Sequence, residues 1–267
     1  MIINESVICM ILAIDIGNTH ITFGCIDRDK AADPVLRLPT DRLETEYGYA
    51  ARLKQIFDII KIDPVGLDGS VISSVVPEVT EMMRRACNLI IGKEPLIVGP
   101  GIKTGLVISL DSPDSLAPDI IAAAVAAGDR YSMPCIMIDM GTATTVTVLD
   151  KNGAYVGGAI MPGAGTSLAA LSGKASLLPS VSIRKPEKAI EDDTVGAMQS
   201  GIFYGTVGSI DGVLKAFISE LGEEPEIVAT GGLAKLVCPY CEHKIILDEE
   251  LLLRGLMKIW EMNETGK

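Results

Sequence analysis

The chain carries one short pattern twice. Residues 14–19 read Ile-Asp-Ile-Gly-Asn-Thr, and residues 138–145 read Ile-Asp-Met-Gly-Thr-Ala-Thr-Thr. In each copy an apolar run leads to Asp, one apolar residue and Gly, and a β-rich run follows, which predicts strand, tight turn and strand. Gly at the bend lets the backbone approach a ligand, and nearby N–H groups and hydroxyls can point at phosphate oxygens. The repeat therefore predicts two similar half-molecules that face one another with a polyphosphate between them.

The order of predicted elements is also repeated. Three β-rich segments and then alternating helices and strands occur in each half, and Thr40 and Asp41 are expected to open the first helix, over about 44–60. This order is typical of the ribonuclease H-like duplicated fold of actin, sugar kinases and Hsp70, an α/β fold with the nucleotide cleft between two domains. We expect an N-terminal extension over 1–9, a first domain over 10–118 and a second domain over 119–267. A long helix over about 193–221 is expected to be broken by Gly201, Gly205 and Gly208.

Composition excludes several classes of protein. A net charge of −12 argues against binding to nucleic acid or to acidic membranes, because both need clustered Lys and Arg. No uncharged apolar stretch of about 18 residues is present, and the first residues lack the basic start of a secretion signal, so a cytoplasmic protein is expected. The six cysteines do not form a disulfide scaffold in a chain of this size. Cys238 and Cys241 could form half a zinc site or a redox pair, but no second pair completes a zinc site.

Eight motifs in one order resemble the type III pantothenate kinases, and the similarity extends from Met10 to about Asn263. They read Asp-Ile-Gly-Asn-Thr at 15–19, Thr-Asp at 40–41, Ser-Ser-Val-Val-Pro at 73–77, Gly-Ile-Lys-Thr-Gly at 101–105, Asp-Met-Gly-Thr-Ala-Thr-Thr at 139–145, Gly-Gly-Ala-Ile-Met-Pro-Gly at 157–163, Met-Gln-Ser-Gly at 198–201 and Thr-Gly-Gly at 230–232. The resemblance implies an ATP-dependent kinase that phosphorylates pantothenate in the first step of coenzyme A biosynthesis. It also implies a cytoplasmic homodimer that uses Mg²⁺ and K⁺ or NH₄⁺, with the acceptor site near the subunit interface.

The resemblance assigns the nucleotide contacts residue by residue. Thr142, beside Gly141, falls on an ATP contact, and Gly231 and Gly232 lie where the adenosine end would pass. Eight consecutive residues fall on the contacts with the ATP phosphates: Asp15, Ile16, Gly17, Asn18, Thr19, His20, Ile21 and Thr22.

The resemblance also assigns the metal and acceptor contacts. Asp139 falls on the ligand of the monovalent cation, and Asp15 would hold Mg²⁺ through water. Asp119 falls on the catalytic base, and Thr194 falls on a pantothenate contact that the partner subunit supplies. The segment around the base reads Ala117, Pro118, Asp119 and Ile120 where the family has Gly-Ala-Asp-Arg, and acids occupy 191–193 where the family has Gly-Lys-Asn.

These departures leave alternatives open. Arg is the usual partner of a carboxylate such as that of pantothenate, and Ile120 cannot replace it. One alternative is a kinase of the same fold for a different small hydroxyl compound, and another is a non-catalytic nucleotide-binding regulator. From the residues alone, Asp119 could serve only to cap a helix, and Asp15 and Asp139 could be ordinary turn residues.

Overall fold

The computed structural model describes residues 9–28, 32, 34–175 and 178–264. The extension predicted over residues 1–9 lies outside the described residues except for Cys9.

The described part of the first half follows the predicted order of strands and helices. A short 3-10 turn at Pro64–Gly66 precedes the fourth strand, and another at Pro113–Ser115 precedes the third helix. The strands are β1 (Met10–Ile16), β2 (His20–Asp27), β3 (Leu36–Pro39), β4 (Gly69–Ser74) and β5 (Leu96–Ile97), and the helices are α1 (Glu46–Ile60), α2 (Pro77–Ile91) and α3 (Pro118–Arg130).

The described part of the second half repeats the pattern of three strands followed by helices. A 3-10 turn at Cys238–Tyr240 extends the short sixth helix. The strands are β6 (Cys135–Met140), β7 (Ala143–Leu149), β8 (Tyr155–Pro162), β9 (Glu226–Thr230) and β10 (Ile246–Leu247), and the helices are α4 (Ala164–Lys174), α5 (Thr194–Leu221), α6 (Ala234–Val237) and α7 (Leu251–Glu264).

Within the described residues, each half builds a five-stranded mixed sheet with the same strand order. The first sheet has the order β3-β2-β1-β4-β5, and the second has β10-β9-β6-β7-β8, which is the same order viewed from the other edge. β1 runs antiparallel to β2 and parallel to β4, as β6 does to β7 and β9. The repeated topology confirms the predicted ribonuclease H-like fold in both halves.

One face of each sheet is closed by helices. On the first sheet, side chains of alternating residues such as Leu12, Ile14 and Ile72 pack with α1 and α2. On the second sheet, Ile138 and Val146 pack with α5. Because side chains alternate across a strand, the residues between these apolar positions lie on the opposite face of each sheet.

The described residues form two compact units, and their division differs from the single boundary predicted between 118 and 119. The first unit takes residues up to Gly105, Asp114–Ala126 and the segment from Glu250, and the second takes Leu106–Pro113 and Ala127–Glu249. The last helix, α7, was expected in the second domain. It joins the first unit because Leu253 contacts β2 at Gly24, and Trp260 contacts β4 at Gly69.

Helix α5 is continuous over 28 residues, so the predicted breaks at three glycines do not occur. Buried Phe203, Val207, Ile210 and Leu214 hold one face of α5 on the second sheet. This burial outweighs the cost of about 1 kcal/mol that each Gly brings to a helix. Gly201, Gly205, Gly208 and Gly212 lie on the opposite, exposed face.

Among the described residues, no helix is both long enough and apolar enough to cross a membrane.

Candidate functional site

The β1–β2 hairpin presents its turn to solvent. The Gly17 N–H donates to the His20 carbonyl at 3.0 Å, which closes the turn, and Asn18, Thr19 and His20 are exposed. A Cβ on Gly17 would lie 3.1 Å from the same carbonyl oxygen, so a larger residue would crowd the bend. The exposed backbone and side chains of this turn can reach a bound anion.

Two of the eight residues assigned to the ATP phosphates have side chains that face the protein interior. Ile16 and Ile21 are fully buried and belong to the core beneath α1 and α2. Asp15 and Thr22 are half-buried and lie on the opposite face of the sheet. The isoleucines can therefore serve a ligand only through their backbone, whereas Asp15 and Thr22 can use their side chains.

Two residues that sequence analysis did not assign to the site support this turn. The Thr40 hydroxyl donates to the Gly17 carbonyl at 2.7 Å, and the backbone N–H of Thr40 donates to the Thr19 carbonyl at 3.0 Å. Arg42 is exposed, and its guanidinium donates to Asn18 Oδ1 at 2.9 Å. The Thr-Asp motif at 40–41 is the sequence signal that could have placed this segment here. Its neighbour Arg42 brings a positive charge to this turn.

The Asp15 carboxylate belongs to a row of side chains that crosses the first sheet. Thr22 is the register partner of Asp15 on β2, and Arg37 is the partner of Thr22 on β3. On the other side, Ser73 of β4 is the register partner of Asp15. Register partners point to the same side of a sheet, so Arg37, Thr22, Asp15 and Ser73 share the face that does not carry the α1 and α2 core.

The β6–β7 hairpin repeats this turn with different support. The Gly141 N–H donates to the Ala143 carbonyl at 3.0 Å, and Gly141 and Thr142 are exposed. The Thr142 carbonyl accepts the Gly163 N–H at 3.1 Å and the Thr166 hydroxyl at 2.6 Å. The start of α4 therefore holds the second turn, whereas the 40–42 segment holds the first.

Asp139 lies against a glycine that no other residue could replace without strain. Gly231 follows β9 with φ +97, where L-amino acids are strained. A Cβ there would lie 2.7 Å from Asp139 Oδ1 and 2.6 Å from the Met140 nitrogen. The backbone at Gly231 thus lies directly against the half-buried Asp139 carboxylate, while the next residue, Gly232, is exposed.

Asp119 lies in the first turn of α3 and is half-buried. Its Oδ1 accepts the N–H of Ile120 at 2.8 Å. Burial raises the pKa of the Asp119 carboxyl, and the backbone hydrogen bonds oppose that shift without cancelling it. The neighbouring Ala117, Pro118 and Ile120 are also half-buried. A carboxyl whose pKa is raised by burial is a stronger proton acceptor than an exposed one once it is ionised.

A close helix crossing fixes α3 in the first unit. A Cβ on Gly255 of α7 would overlap the Ala122 carbonyl oxygen and lie 2.6 Å from the Ala122 carbonyl carbon. Only Gly at this position lets the two backbones come so close. Since α7 also covers the sheet face of Asp15 through Leu253, Asp119 and Asp15 belong to the same unit and to the same side of its sheet.

Thr194 is the first residue of α5 and is exposed. Asp193 caps the helix, because its Oδ1 accepts the Gly196 N–H at 2.9 Å. Within the described parts of the chain, the acids at 191–193 are the one cluster of three or more His, Cys, Asp or Glu side chains close enough to share an ion. They already have protein partners, since Glu191 accepts the Lys188 N–H at 2.9 Å and Asp192 pairs with the Lys188 ammonium at 3.8 Å.

The structure therefore groups the predicted residues by unit. The first unit holds Asp15–Thr22 and the segment 117–120, and the second holds Asp139, Gly141, Thr142, Thr194 and the pair 231–232.

Comparison with solved structures defines the class of fold. The glucokinase of the ROK family from Streptomyces griseus, solved in complex with glucose and AMPPNP, aligns over 96% of this chain and 100% of its own with a TM-score of 0.52 and 12% identity. The archaeal actin homologue Ta0583 aligns over 96% of this chain and 100% of its own with a TM-score of 0.50 and 12% identity. The chain is thus a two-domain protein of the actin and sugar-kinase fold.

Sequence comparison defines the family within that class. Residues 11–216 match the family model described as type III pantothenate kinase. A type III pantothenate kinase from Halalkalibacterium halodurans is 42% identical over 254 residues, which is 95% of this chain and 100% of that relative. The chain belongs to the type III pantothenate kinase family.

Proposed function

We propose that this protein transfers the γ-phosphate of ATP to the hydroxyl of pantothenate, the first step of coenzyme A biosynthesis. The observation that carries the proposal is the match at 42% identity to a type III pantothenate kinase over nearly the whole chain. Both hairpins and a half-buried carboxyl at Asp119 accompany that match. Phosphoryl transfer needs mainly positioning and neutralisation of charge, and these parts can supply both.

The two hairpins would hold the nucleotide. Exposed N–H groups and side chains at 17–19 and 141–142 would bind phosphate oxygens, and Arg42 would add a cation beside the first turn. Gly231 and the exposed Gly232 have no side chain that would occupy the space for the adenosine end. In a chain with a net charge of −12, this local positive charge favours the binding of an anion.

The donor atoms near the two acids fit the cations that the family resemblance implies. Mg²⁺ prefers oxygen ligands and keeps several of its waters, which fits a half-buried carboxylate such as Asp15. Asp139 lies against the backbone of Gly231, and its carboxylate oxygens suit K⁺ or NH₄⁺. Such cations would neutralise phosphate charge; the protein's part is to hold Asp15 and Asp139 in place.

Asp119 would act as the catalytic base. It would accept the proton of the attacking hydroxyl as the hydroxyl oxygen approaches the γ-phosphate, or direct that hydroxyl in line. The carboxyl must be ionised for this task, and burial raises its pKa. The rate should therefore fall with acidification at a pH above the ordinary range of an aspartic acid.

We infer a homodimer in the cytoplasm, with Thr194 contacting the acceptor bound to the partner subunit. The exposed face of α5 supports this inference. Its glycines at 201, 205, 208 and 212 would each meet nothing within 4 Å if a Cβ were added, so a second backbone can approach closely. Tyr204 of the same helix is 40% exposed and could add an aromatic contact to such an interface.

A second candidate function is phosphorylation of a less anionic alcohol. Ile120 stands where the family has an Arg, and Thr194 lies directly after three acids. Both features weaken the binding of the carboxylate of pantothenate.

One experiment separates the candidates. ADP release from ATP is measured with Mg²⁺ and K⁺, using pantothenate and a panel of neutral alcohols, and the phosphorylated product is identified. The wild type should turn over pantothenate, and Asp119→Asn should reduce kcat by about 10²–10⁴. Asp114→Asn is the matched control, because Asp114 is an exposed acid in the turn before α3.

The other outcomes are equally informative. Turnover with neutral alcohols alone would replace pantothenate by the second candidate. Intact ATP binding with no turnover of any acceptor would contradict the kinase proposal and leave a nucleotide-binding regulator.

A further inference from the structure

Three serines of β4 have different surroundings. Ser74 accepts the Val76 N–H at 3.1 Å and the Thr80 hydroxyl at 2.7 Å. Ser70 and Ser73 are 1% and 0% exposed. Across the described residues, their Oγ atoms are the buried side-chain nitrogen or oxygen atoms that lack a hydrogen-bond partner.

The two unpartnered serines face opposite sides of the first sheet. Ser70 faces α2, where burial raises the pKa of the Cys87 thiol to about 12 and the serine hydroxyl opposes that shift. Ser73 faces the other side and is the register partner of Asp15 in the parallel β1–β4 pair. The side chain next to the Ser73 hydroxyl on the adjacent strand is therefore the carboxylate proposed to hold Mg²⁺ through water.

A buried hydroxyl without a partner is costly. Leaving such a group unsatisfied costs about 1–3 kcal/mol, so Ala at position 73 would give the protein without ligand equal or greater stability. Such groups in native proteins are explained by strain, by a functional role, or by a bound partner. A carboxylate on the neighbouring strand is an acceptor that a single rotation about χ1 of Ser73 can reach.

We propose that the Ser73 hydroxyl is a positioning group for Asp15: it donates a hydrogen bond to the Asp15 carboxylate when the magnesium nucleotide is bound. The hydrogen bond would fix the carboxylate in one rotamer, directed to the water that it would share with the metal. The inference rests on the proposed role of Asp15 in the kinase reaction.

The test compares Ser73→Ala with Ser70→Ala. Both changes remove a buried hydroxyl from the same strand, but Ser70 lies beside the Cys87 thiol, and only Ser73 is in register with Asp15. Thermal stability without ligand, binding of Mg·ADP by calorimetry and the Mg²⁺ dependence of kcat/KM are measured for each. Ser73→Ala should keep or raise the Tm and require about 10-fold more Mg²⁺ for half-saturation, which corresponds to one hydrogen bond to a charged group. Ser70→Ala should leave the Mg²⁺ dependence unchanged.

Two further variants show whether the effect passes through Asp15. Ser73→Cys keeps a side chain of similar size but with only a weak hydrogen-bond donor. It should behave like Ser73→Ala if the hydroxyl is required, and like the wild type if only the side-chain volume is required. In a double-mutant cycle, Ser73→Ala should have no further effect once Asp15→Asn is present.

The outcomes separate this inference from the proposed function. An unchanged Mg²⁺ dependence in Ser73→Ala, together with a strong effect of Asp15→Asn, would overturn the role of Ser73 alone. Intact binding of Mg·ADP in Asp15→Asn would overturn the proposed role of Asp15 instead. Equal losses in Ser73→Ala and Ser70→Ala would mean that β4 had been damaged, and would overturn the inference as well.

Discussion

The two duplicated hairpins hold their acidic residues in equivalent register but in different surroundings. Asp15 and Asp139 each lie between an antiparallel hairpin partner and a parallel neighbour, Ser73 in the first sheet and Thr230 in the second. The rows that cross the sheets are Arg37, Thr22, Asp15 and Ser73 in the first unit and Ile160, Thr145, Asp139 and Thr230 in the second. On the edge strand, the first row has the Arg37 side chain, whereas the second row has Ile160, which is 75% exposed.

The two units also differ in the residue that follows the parallel partner of the acid, which is Ser74 in the first unit and Gly231 in the second. Ser74 follows Ser73, and its hydroxyl accepts hydrogen bonds from Val76 and Thr80 at the start of α2. Gly231 follows Thr230 with φ +97 and lies against the Asp139 carboxylate. Both acids are half-buried, and they differ in the glycine that lies against Asp139 alone. We propose that Asp15 suits a hydrated divalent cation and that Asp139 suits direct ligation of a monovalent cation.

Gly231→Ala should have the largest effect on stability and should damage only the second site. The added Cβ would collide with Met140 and Asp139 at a backbone angle that disfavours Ala, at a cost of about 3 kcal/mol. Chemical denaturation measures the loss, and the K⁺ concentration for half-maximal activity should rise while that for Mg²⁺ stays unchanged. A variant as stable as the wild type would show that Gly231 does not lie against Asp139 as described.

Asp119→Asn should raise the free energy of unfolding at neutral pH. The gain should be smaller than the loss expected for Gly231→Ala. The pKa of Asp119 is raised by burial, so the ionised carboxyl is penalised in the folded state. The unfolded chain releases this proton at lower pH than the folded chain does, so wild-type stability falls as pH rises from the unfolded to the folded pKa. Asn removes this penalty and can still accept the Ile120 N–H.

The free energy of unfolding of both proteins, measured as a function of pH, shows whether the Asn variant is the more stable one at neutral pH. The advantage of Asp119→Asn should be present at neutral pH and vanish below the unfolded pKa of aspartic acid. An Asn variant that is less stable at neutral pH would contradict the burial of the charge.

Gly173→Ala should have the smallest effect and the opposite sign to Gly231→Ala. Gly173 lies in α4, where an added Cβ would meet nothing within 4 Å. Ala should therefore stabilise the protein by about 0.5–1 kcal/mol without a change in either cation requirement. A loss of stability would mean that the difference between the two glycines does not come from their contacts.

The elements of the fold could be predicted from local sequence because their signals are local. Apolar runs and Gly at the bends predict the strands of both hairpins, and Asp119 lies in the first turn of a helix. The opening of α1 was misplaced, because Thr45 rather than Thr40 or Asp41 caps it through a bond from the Gly48 N–H at 3.2 Å. Thr and Asp are both preferred at helix N-caps, so residue type alone does not choose among Thr40, Asp41 and Thr45.

The parts that sequence did not predict depend on contacts between distant residues. Thr40 and Arg42 reach Gly17 and Asn18 across 23 and 24 positions, and no local pattern shows this. The return of α7 to the first unit depends on Gly255, which permits the crossing with α3. The surroundings of Asp139 depend likewise on a glycine far along the chain.

The most direct test of the account is a pair of cation titrations on two variants. ADP release with pantothenate is measured for Asp15→Asn and Asp139→Asn while Mg²⁺ and K⁺ are varied in turn. Asp15→Asn should raise the Mg²⁺ requirement and leave the K⁺ requirement unchanged, and Asp139→Asn should do the reverse. If both variants shift the requirement for the same cation, or neither shifts any, the two hairpins do not divide the cations as their surroundings indicate.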